Sequence, residues 1–350
     1  MLKLLRSLVA RPRDPAPPVD ATPQVTPTTR VTAAGVADFD VLAHLIDANG
    51  LPVLDWDAAQ AWVAGIAGDD AQAQAWSSCE IAWLQHLGAA LGPGYRLMQR
   101  GHIVLLSSLD DRIATATMDF VDKTLQRIVR VLDGLARSVQ PHEQEILIVF
   151  DDDEAYYRYL AHYYPDAGEF AASGGVFINA GCGHFATVKA DLHAIEPVIA
   201  HELTHSCLSH LPIPAWLNEG LAVNTERRLC PPVLAPRTSP RQMHARHQAF
   251  WGVDEIQQFW SGKSFLRTDE GNELSYDLAR ILVSQLAGDW ARFRAFALSA
   301  HMDDGGEAAA HEHLGLPLAD LAAALLERPA DASWAPTPAR WQGEPERGAF

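Results

Sequence analysis

Two histidines and a glutamate stand close together in the octet AHELTHSC, residues 200–207. His201 and His205 are four residues apart, so on a helix they lie one turn apart on the same face, where both imidazoles can reach a single ion. Glu202 is rotated by about 100° toward the rim of that face. Hydrolysis at zinc needs neutral nitrogen ligands, an open position for water, and a carboxylate that takes the proton of that water without binding the metal. The octet therefore predicts His201 and His205 as zinc ligands and Glu202 as a general base.

A third ligand is expected from the segment PAWLNEGLAV, residues 214–223. Its apolar residues recur at helical spacing, and Glu219 is the single acid among them. A buried acid normally has a charged or hydrogen-bonding partner. If this helix packs against the histidine helix, Glu219 completes a His, His, Glu set that leaves one position of the zinc ion for water.

The combination of HELTH with a downstream WLNEGLA resembles the gluzincin metallopeptidases and, among them, the peptidase MA-like group. Glu219 stands fourteen residues after the second histidine, and the resemblance extends over roughly residues 97–328. It implies a zincin-like fold and one Zn²⁺ ion that is held by His201, His205 and Glu219. Glu202 would then act as the general base.

The resemblance also implies two roles outside the metal ligands. Tyr276 is expected to donate a hydrogen bond to the oxyanion of the tetrahedral intermediate, with an ordinary core tyrosine as the alternative. The segment GGVFIN, residues 174–179, is expected to form an edge strand along which an extended peptide substrate can lie. The alternative for this segment is a plain hairpin edge.

A metzincin assignment fails on the residues that follow the motif. Such a protein would continue with a glycine and a third histidine at fixed spacing, but Leu208 and Leu211 occupy those positions. His210 is one residue out of register. We therefore interpret His210 as a helix-end histidine that is stabilised by the helix dipole.

The sequence departs from the gluzincin pattern at Val223, where some members have an acid that orients the first histidine. A ligating histidine usually needs such an acceptor for its second ring nitrogen. The residues that could supply one are Asn224, Glu226 and Asp191. Cys182 and His184 could reach the site as an extra ligand or a thiol latch, but their spacing matches no ligand pattern, which argues against such a role.

The order of elements predicts an α+β fold. A small mixed sheet, with an edge strand over a metal-binding helix pair, is followed by a helical C-terminal part. EILIVF, residues 145–150, is typical of a central strand. The predicted division of the chain is a flexible N-terminal tail at 1–35, a helical N-terminal segment at 36–95, a zincin-like metallopeptidase domain at 96–328 and a C-terminal tail at 329–350.

Composition excludes several classes of protein. The chain has 350 residues, of which 48% are hydrophobic, so it can bury a sizeable core. Its formal net charge of −17 argues against nucleic acid as a partner, because phosphate contacts require a surplus of Lys and Arg. No apolar run reaches the roughly 18 residues that span a bilayer, so we expect no integral membrane segment. The sequence predicts no particular oligomeric state.

The spacing of the cysteines indicates in which cellular compartment the protein is found. The four cysteines lack the C-x-x-C spacing of a thiolate zinc site or redox pair, which favours a reducing, cytoplasmic location. The stretch MLKLLRSLVA has basic residues and leucines, but Arg6 interrupts its apolar run. Secretion through an atypical signal is the alternative.

These observations together predict a zinc-dependent hydrolase, a metallopeptidase that cleaves a peptide or protein substrate with metal-activated water. The alternative is a catalytically silent, zinc-bound scaffold that binds a peptide or protein partner in its groove. Glu202 favours the enzyme, because a purely structural metal has no use for a base that is not a ligand.

Overall fold

A computed structural model of the chain describes residues 26–164, 174–190, 192–232, 238–329 and 331–341. Asp191 and parts of both predicted tails, at 1–25 and 342–350, lie outside the described residues.

Strands and helices alternate in the first half of the chain, and helices alone follow. The strands are β1 (Arg30–Val31), β2 (Phe39–Asp40), β3 (Leu45–Ala48), β4 (Leu51–Leu54), β5 (Arg96–Arg100), β6 (Ile103–Ser107), β7 (Glu145–Phe150), β8 (Gly175–Ala180) and β9 (Cys182–Val188). The α-helices are α1 (Trp56–Ala64), α2 (Asp69–Leu91), α3 (Asp111–Val131), α4 (Asp153–Tyr163), α5 (Leu192–Leu208), α6 (Ala215–Leu229), α7 (Pro240–Phe250), α8 (Val253–Trp260), α9 (Glu270–Leu286), α10 (Trp290–Ser299), α11 (Glu307–Ala309) and α12 (Leu318–Leu325). Short 3₁₀ and π turns are Leu42–His44, Lys263–Leu266, Met302–Asp304, Ala310–Leu314, Ala332–Trp334 and Pro338–Arg340.

Five strands form one mixed sheet in the order β5-β6-β7-β9-β8. The central strand β7 runs parallel to β6 and β9, and both outer strands pair antiparallel with their neighbours. Every residue of β7 is buried, as expected for a strand that is covered on both faces. The predicted central strand and the α+β class are therefore confirmed.

The two faces of the sheet pack against different helices. Leu147 and Val149 of β7 belong to the core that also contains residues of α3, α5, α6 and α9. Ile146 and Ile148, which point the other way because side chains alternate along a strand, belong to the core shared with α2 and α4. The site that is described below lies on the α5 face.

The predicted all-helical segment at 36–95 was wrong over its first part. Residues 45–54 form the hairpin of β3 and β4, in which Ala48 pairs with Leu51. Asn49 and Gly50 connect the strands with φ angles of 56° and 82°. An Asn-Gly pair that takes positive φ at both positions is the favoured two-residue hairpin turn, and this local preference outweighed the helical spacing of the apolar residues. The first α-helix of this segment is α1.

Both predicted tails were too long. Val31 is buried and pairs with Phe39, so ordered packing starts before the predicted boundary at residue 35. At the other end, the carbonyl of Trp334 accepts a hydrogen bond from the indole of Trp260, and the Trp334 side chain is buried. Aromatic side chains explain this difference, because a few large rings bury enough apolar surface to order a Pro-rich segment.

The predicted boundary near residue 95 does not separate two cores. Trp83 of α2 belongs to the same buried cluster as Val104 of β6 and Ile148 of β7. The N-terminal segment therefore covers one face of the main sheet. No helix in the described part of the chain has the length and apolar character needed to cross a bilayer.

Candidate metal centre

The imidazoles of α5 and one carboxylate of α6 converge on a common point. His201 Nε2 lies 3.2 Å and His205 Nε2 lies 3.5 Å from Oε2 of Glu219. One ligand atom from each residue lies within 4.8 Å of the other two, and His205 and Glu219 are buried. Among the described residues, no other group of His, Cys, Asp and Glu is gathered in this way.

These distances fit a single small ion. A tetrahedral ion with bonds of about 2.0–2.1 Å places its ligand atoms about 3.4 Å apart, close to the two separations that are found here. Nitrogen, nitrogen and oxygen donors form a set that suits a borderline-soft divalent metal. His201, His205 and Glu219 could therefore hold one metal ion.

Close helix packing sets the position of Glu219. The adjacent Gly220 faces α9, where a Cβ atom would lie 2.5 Å from Val283 Cγ2 and 2.6 Å from the carbonyl oxygen of Ala279. Only a residue without a side chain lets α6 and α9 approach this closely. The glycine of NEGLA thus fixes α6 between the histidine helix and α9.

Glu226 is the hydrogen-bond acceptor for the second ring nitrogen of His201, a role for which the sequence offered three candidates. Its Oε2 lies 3.1 Å from His201 Nδ1, the ring nitrogen that does not face Glu219. Asn224 lies against α9 instead, where its amide nitrogen donates to the carbonyl of Arg280 and also to that of Gly220. The Nδ1 atom of His205 is buried and has no hydrogen-bond partner among the described residues.

Charge and burial act in opposite directions on the ligands. Burial alone lowers the pKa of His201, but its hydrogen bonds with Glu219 and Glu226 outweigh burial and hold the pKa well above its usual value. Burial alone raises the pKa of Glu219, but the charge of His205 and the hydrogen bond from His201 hold it below the usual range. Glu219 is therefore an anion, as a metal ligand must be.

Glu202 lies at the rim of the ligand group, where the helical spacing placed it. The backbone N–H of Phe177 in β8 donates to its Oε2 at 2.6 Å. Its Oε1 accepts no hydrogen bond from the described residues. Burial raises the pKa of Glu202, and the neighbouring imidazoles of His201 and His205 offset part of that effect. One oxygen is therefore fixed and the other is available to a bound molecule.

A cleft of about 550 Å³ lies over this group. We define the cleft by its walls: residues 174–177 of the edge strand on one side and residues 265–276 on the other, with the ligand group as its floor. Tyr276 lies on the second wall, with its ring centroid 6.3 Å from that of His201. Its hydroxyl forms no hydrogen bond with the described residues, and burial raises its pKa well above the usual value. The phenol of Tyr276 therefore keeps its proton and can donate a hydrogen bond to a bound molecule.

The edge strand offers free main-chain groups to the cleft. Because the N–H of Phe177 points to Glu202, away from β9, alternation directs the main-chain groups of Gly175 and Asn179 the same way. The Phe185 ring occupies the space where a Cβ of Gly175 would lie. This glycine is thus required by packing inside the sheet.

The remaining candidates lie away from the ligand group. His210 is exposed in the turn after α5. His184 is buried, with Nε2 2.7 Å from the hydroxyl of Tyr159, and burial lowers its pKa to about 4. Cys182 Sγ donates to Glu80 at 3.4 Å on the same side of the sheet. Both Cys182 and His184 therefore belong to a structural network.

Sequence reasoning missed some residues of the cleft. Tyr164 lines it, and burial raises the pKa of this phenol to about 12. Arg267 and Asp269 also line it and form an ion pair with each other. No sequence signal distinguished these residues from solvated surface charges.

Comparison with known proteins adds no family to these observations. No protein-family model matches the chain, and no curated protein matches it. The function must therefore be inferred from the residues of the site.

Proposed function

We propose that this protein is a zinc-dependent metallopeptidase of the gluzincin type. The observation that carries the proposal is the convergence of His201, His205 and Glu219 at distances that suit one ion, beside an acid that is not a ligand. Structural zinc sites usually have four protein ligands, whereas catalytic sites have three and an open position. Three ligands at the floor of an open cleft favour the catalytic kind.

Zinc is the metal that best suits these donors, because two imidazoles and one carboxylate form a recurrent set for hydrolytic zinc. When bound, zinc polarises a carbonyl oxygen and lowers the pKa of a bound water. Glu226 would keep the His201 ring in the orientation and tautomer that leave Nε2 free to coordinate.

The chain's own residues would move the proton and stabilise charge. Glu202 would take a proton from water at its free Oε1 and later deliver it to the leaving nitrogen. The hydrogen bond from the Phe177 N–H fixes that carboxylate in place. Tyr276 would donate a hydrogen bond to the oxygen that becomes negative in the transition state.

A peptide is the substrate class that suits the walls of the cleft. An extended chain that lies along β8 would meet the outward main-chain groups of Gly175 and the carbonyl of Phe177, as an added strand does. Backbone hydrogen bonds of this kind bind any extended peptide, so discrimination among peptides must come from side-chain pockets.

Three proteins test the proposal: the wild type, Glu202→Gln, and Glu273→Gln as a control that changes an exposed acid of the cleft. Bound zinc is measured by elemental analysis, and cleavage by mass spectrometry of a peptide library. We expect equal zinc in all three and cleavage by the wild type and the control only. Equal zinc without cleavage by any of them would favour a silent, peptide-binding scaffold, and a wild type that takes up no zinc would exclude both functions.

A further inference from the structure

A second cavity of about 360 Å³ lies at the end of the edge strand. We define this second cavity by Phe177 and Asn179 of β8, Gly183 of β9, Glu145 at the start of β7 and Ser206 near the end of α5. Phe177 lines both this cavity and the cleft. The cleft and the second cavity therefore share Phe177 as a common wall.

Glu145 presents an unused carboxylate oxygen to the second cavity. The residue is only 6% exposed, and its Oε2 accepts a hydrogen bond of 2.9 Å from the hydroxyl of Ser206. Its Oε1 accepts no hydrogen bond from the described residues and is not sealed from solvent. Because this oxygen is open to the cavity, it can accept a hydrogen bond from a donor that binds there.

Glu80 adds a second buried carboxyl to the wall. It is 5% exposed, and its Oε1 accepts hydrogen bonds from Trp76 Nε1 and Cys182 Sγ. Its Oε2 is buried without a partner among the described residues. Glu80 thus adds a second buried carboxyl beside Glu145, although its unpartnered oxygen is closed to the cavity.

No cation of the described residues forms an ion pair with Glu145 or Glu80, although the charge of Arg137 offsets a small part of the effect of burial on the pKa of Glu145. Arg137, the one Arg that lines the second cavity in the described chain, forms its ion pair with Glu143 at 2.9 Å. Burial therefore raises the pKa of Glu145 to about 7 and that of Glu80 to about 8. A bound ammonium or guanidinium would supply a positive charge to both acids and a hydrogen bond to the open oxygen of Glu145.

The position along the strand relates the second cavity to the bond that would be cleaved. Asn179 lies two residues beyond Phe177, whose N–H contacts Glu202. Two residues of an extended strand span about 6.6 Å, so a paired chain that is attacked beside Glu202 reaches the second cavity two or three residues away.

We propose that the second cavity is a specificity subsite that binds a Lys or Arg side chain of the substrate, two or three residues from the cleaved bond. The inference rests on the proposed peptidase function. It names the substrates of that site as peptides with a basic residue at one fixed position.

The first experiment measures cleavage by the zinc-loaded wild type. A peptide series has Lys, Arg, norleucine or citrulline at each position in turn, with acetylated and free amino termini. We expect at least a tenfold higher kcat/KM for Lys or Arg over both neutral analogues at one position, two or three residues from the bond. Absence of any such position, or a preference that follows the free amino terminus instead, would overturn the subsite.

A variant of Glu145 then tests whether this residue causes the preference for Lys or Arg. In Glu145→Gln the ratio of kcat/KM for the Lys peptide to that for the norleucine peptide should fall toward one. Glu312→Gln, which removes an exposed acid that lines neither the cleft nor the second cavity, should retain the wild-type ratio. A preference that survives Glu145→Gln would contradict the assignment.

A binding assay separates the subsite from the peptidase function. With Glu202→Gln as the background, fluorescence anisotropy compares a labelled Lys peptide and its norleucine analogue, with and without Glu145→Gln. Tighter binding of the Lys peptide that depends on Glu145 supports the subsite even if no protein cleaves any peptide, which would then refute the peptidase proposal alone. Equal binding of both peptides overturns the subsite.

Discussion

Glu226 Oε2 lies 3.1 Å from His201 Nδ1, so the carboxylate holds the ring by the nitrogen that does not face the ligand group. A residue in this position orients the ligand and increases its basicity. We expect Glu226→Gln to weaken zinc binding by about 10- to 100-fold while all three ligands remain. Competition with a chromogenic chelator measures the affinity.

The control for this prediction is Glu270→Gln, which also removes an acid of the cleft but one that pairs with Arg246. Its zinc affinity should equal that of the wild type. If both variants lose affinity to the same extent, the effect would come from the total charge of the cleft rather than from the contact with His201.

Gly220 allows a prediction about how α9 is positioned. A methyl group there would press against Val283 and the carbonyl of Ala279, and overpacking of this kind costs about 1–3 kcal/mol. Alanine returns about 0.5–1 kcal/mol through its higher helix propensity. We therefore expect Gly220→Ala to be destabilised in urea unfolding and to lose activity, because α9 also carries Tyr276.

Gly88→Ala is the matched control on α2. Its added Cβ would lie 2.9 Å from the flexible end of Leu106, on the opposite face of the sheet from the cleft. This variant should lose some stability and retain its rate of peptide cleavage at a temperature where it is folded. If Gly220→Ala were as stable as the wild type, α6 and α9 would be able to move apart without loss of folding free energy.

Tyr276→Phe tests the donor that the resemblance indicated. The ring packs edge-on against Phe265, with centroids 5.2 Å apart, and phenylalanine preserves that contact. Loss of one oxyanion donor typically lowers kcat by about 10²–10³-fold, and zinc content should not change. Tyr164→Phe provides the comparison, since this second tyrosine also lines the cleft. If kcat fell strongly in Tyr164→Phe and did not change in Tyr276→Phe, Tyr164 would be the oxyanion donor.

Local spacing accounts for what the sequence could predict at the site. His201 and His205 share a face because of helix periodicity alone, and Glu219 was marked by its isolation among apolar residues. Their convergence depends on tertiary packing, to which Gly220 contributes, and periodicity contains no information about that contact. The choice of Glu226 over Asn224 likewise depended on which side chain faces His201 in space.

The N-terminal hairpin and the second cavity show two different limits of structure prediction from the sequence. Asn49 and Gly50 are a strong turn signal, so the hairpin could have been predicted had turn chemistry been weighed against apolar spacing. Glu80 and Glu145 are 65 residues apart and lie in a helix and a strand that each look apolar. Nothing in either segment indicates that the two carboxyls share one cavity.

The two buried acids also predict how stability depends on pH. Their pKa values of about 8 for Glu80 and about 7 for Glu145 lie above the 4.5 of an unfolded glutamate, because burial disfavours the charged form. Between those values the folded protein holds protons that the unfolded chain has released. Their contribution to stability is therefore complete below about pH 4.5 and is lost as the pH rises through 7 to 8.

The double variant Glu80→Gln, Glu145→Gln removes both titrations and preserves the shape of the side chains. We expect the free energy of unfolding of the wild type, relative to this variant, to fall between pH 5.5 and 7.5 by on the order of 1 kcal/mol per pH unit for each carboxyl. Urea unfolding at three pH values measures the difference, and all other titrating groups cancel because both proteins share them. Parallel pH profiles would mean that the two carboxyls ionise normally in the folded state, and a difference of the opposite sign would mean that a cation already pairs with them.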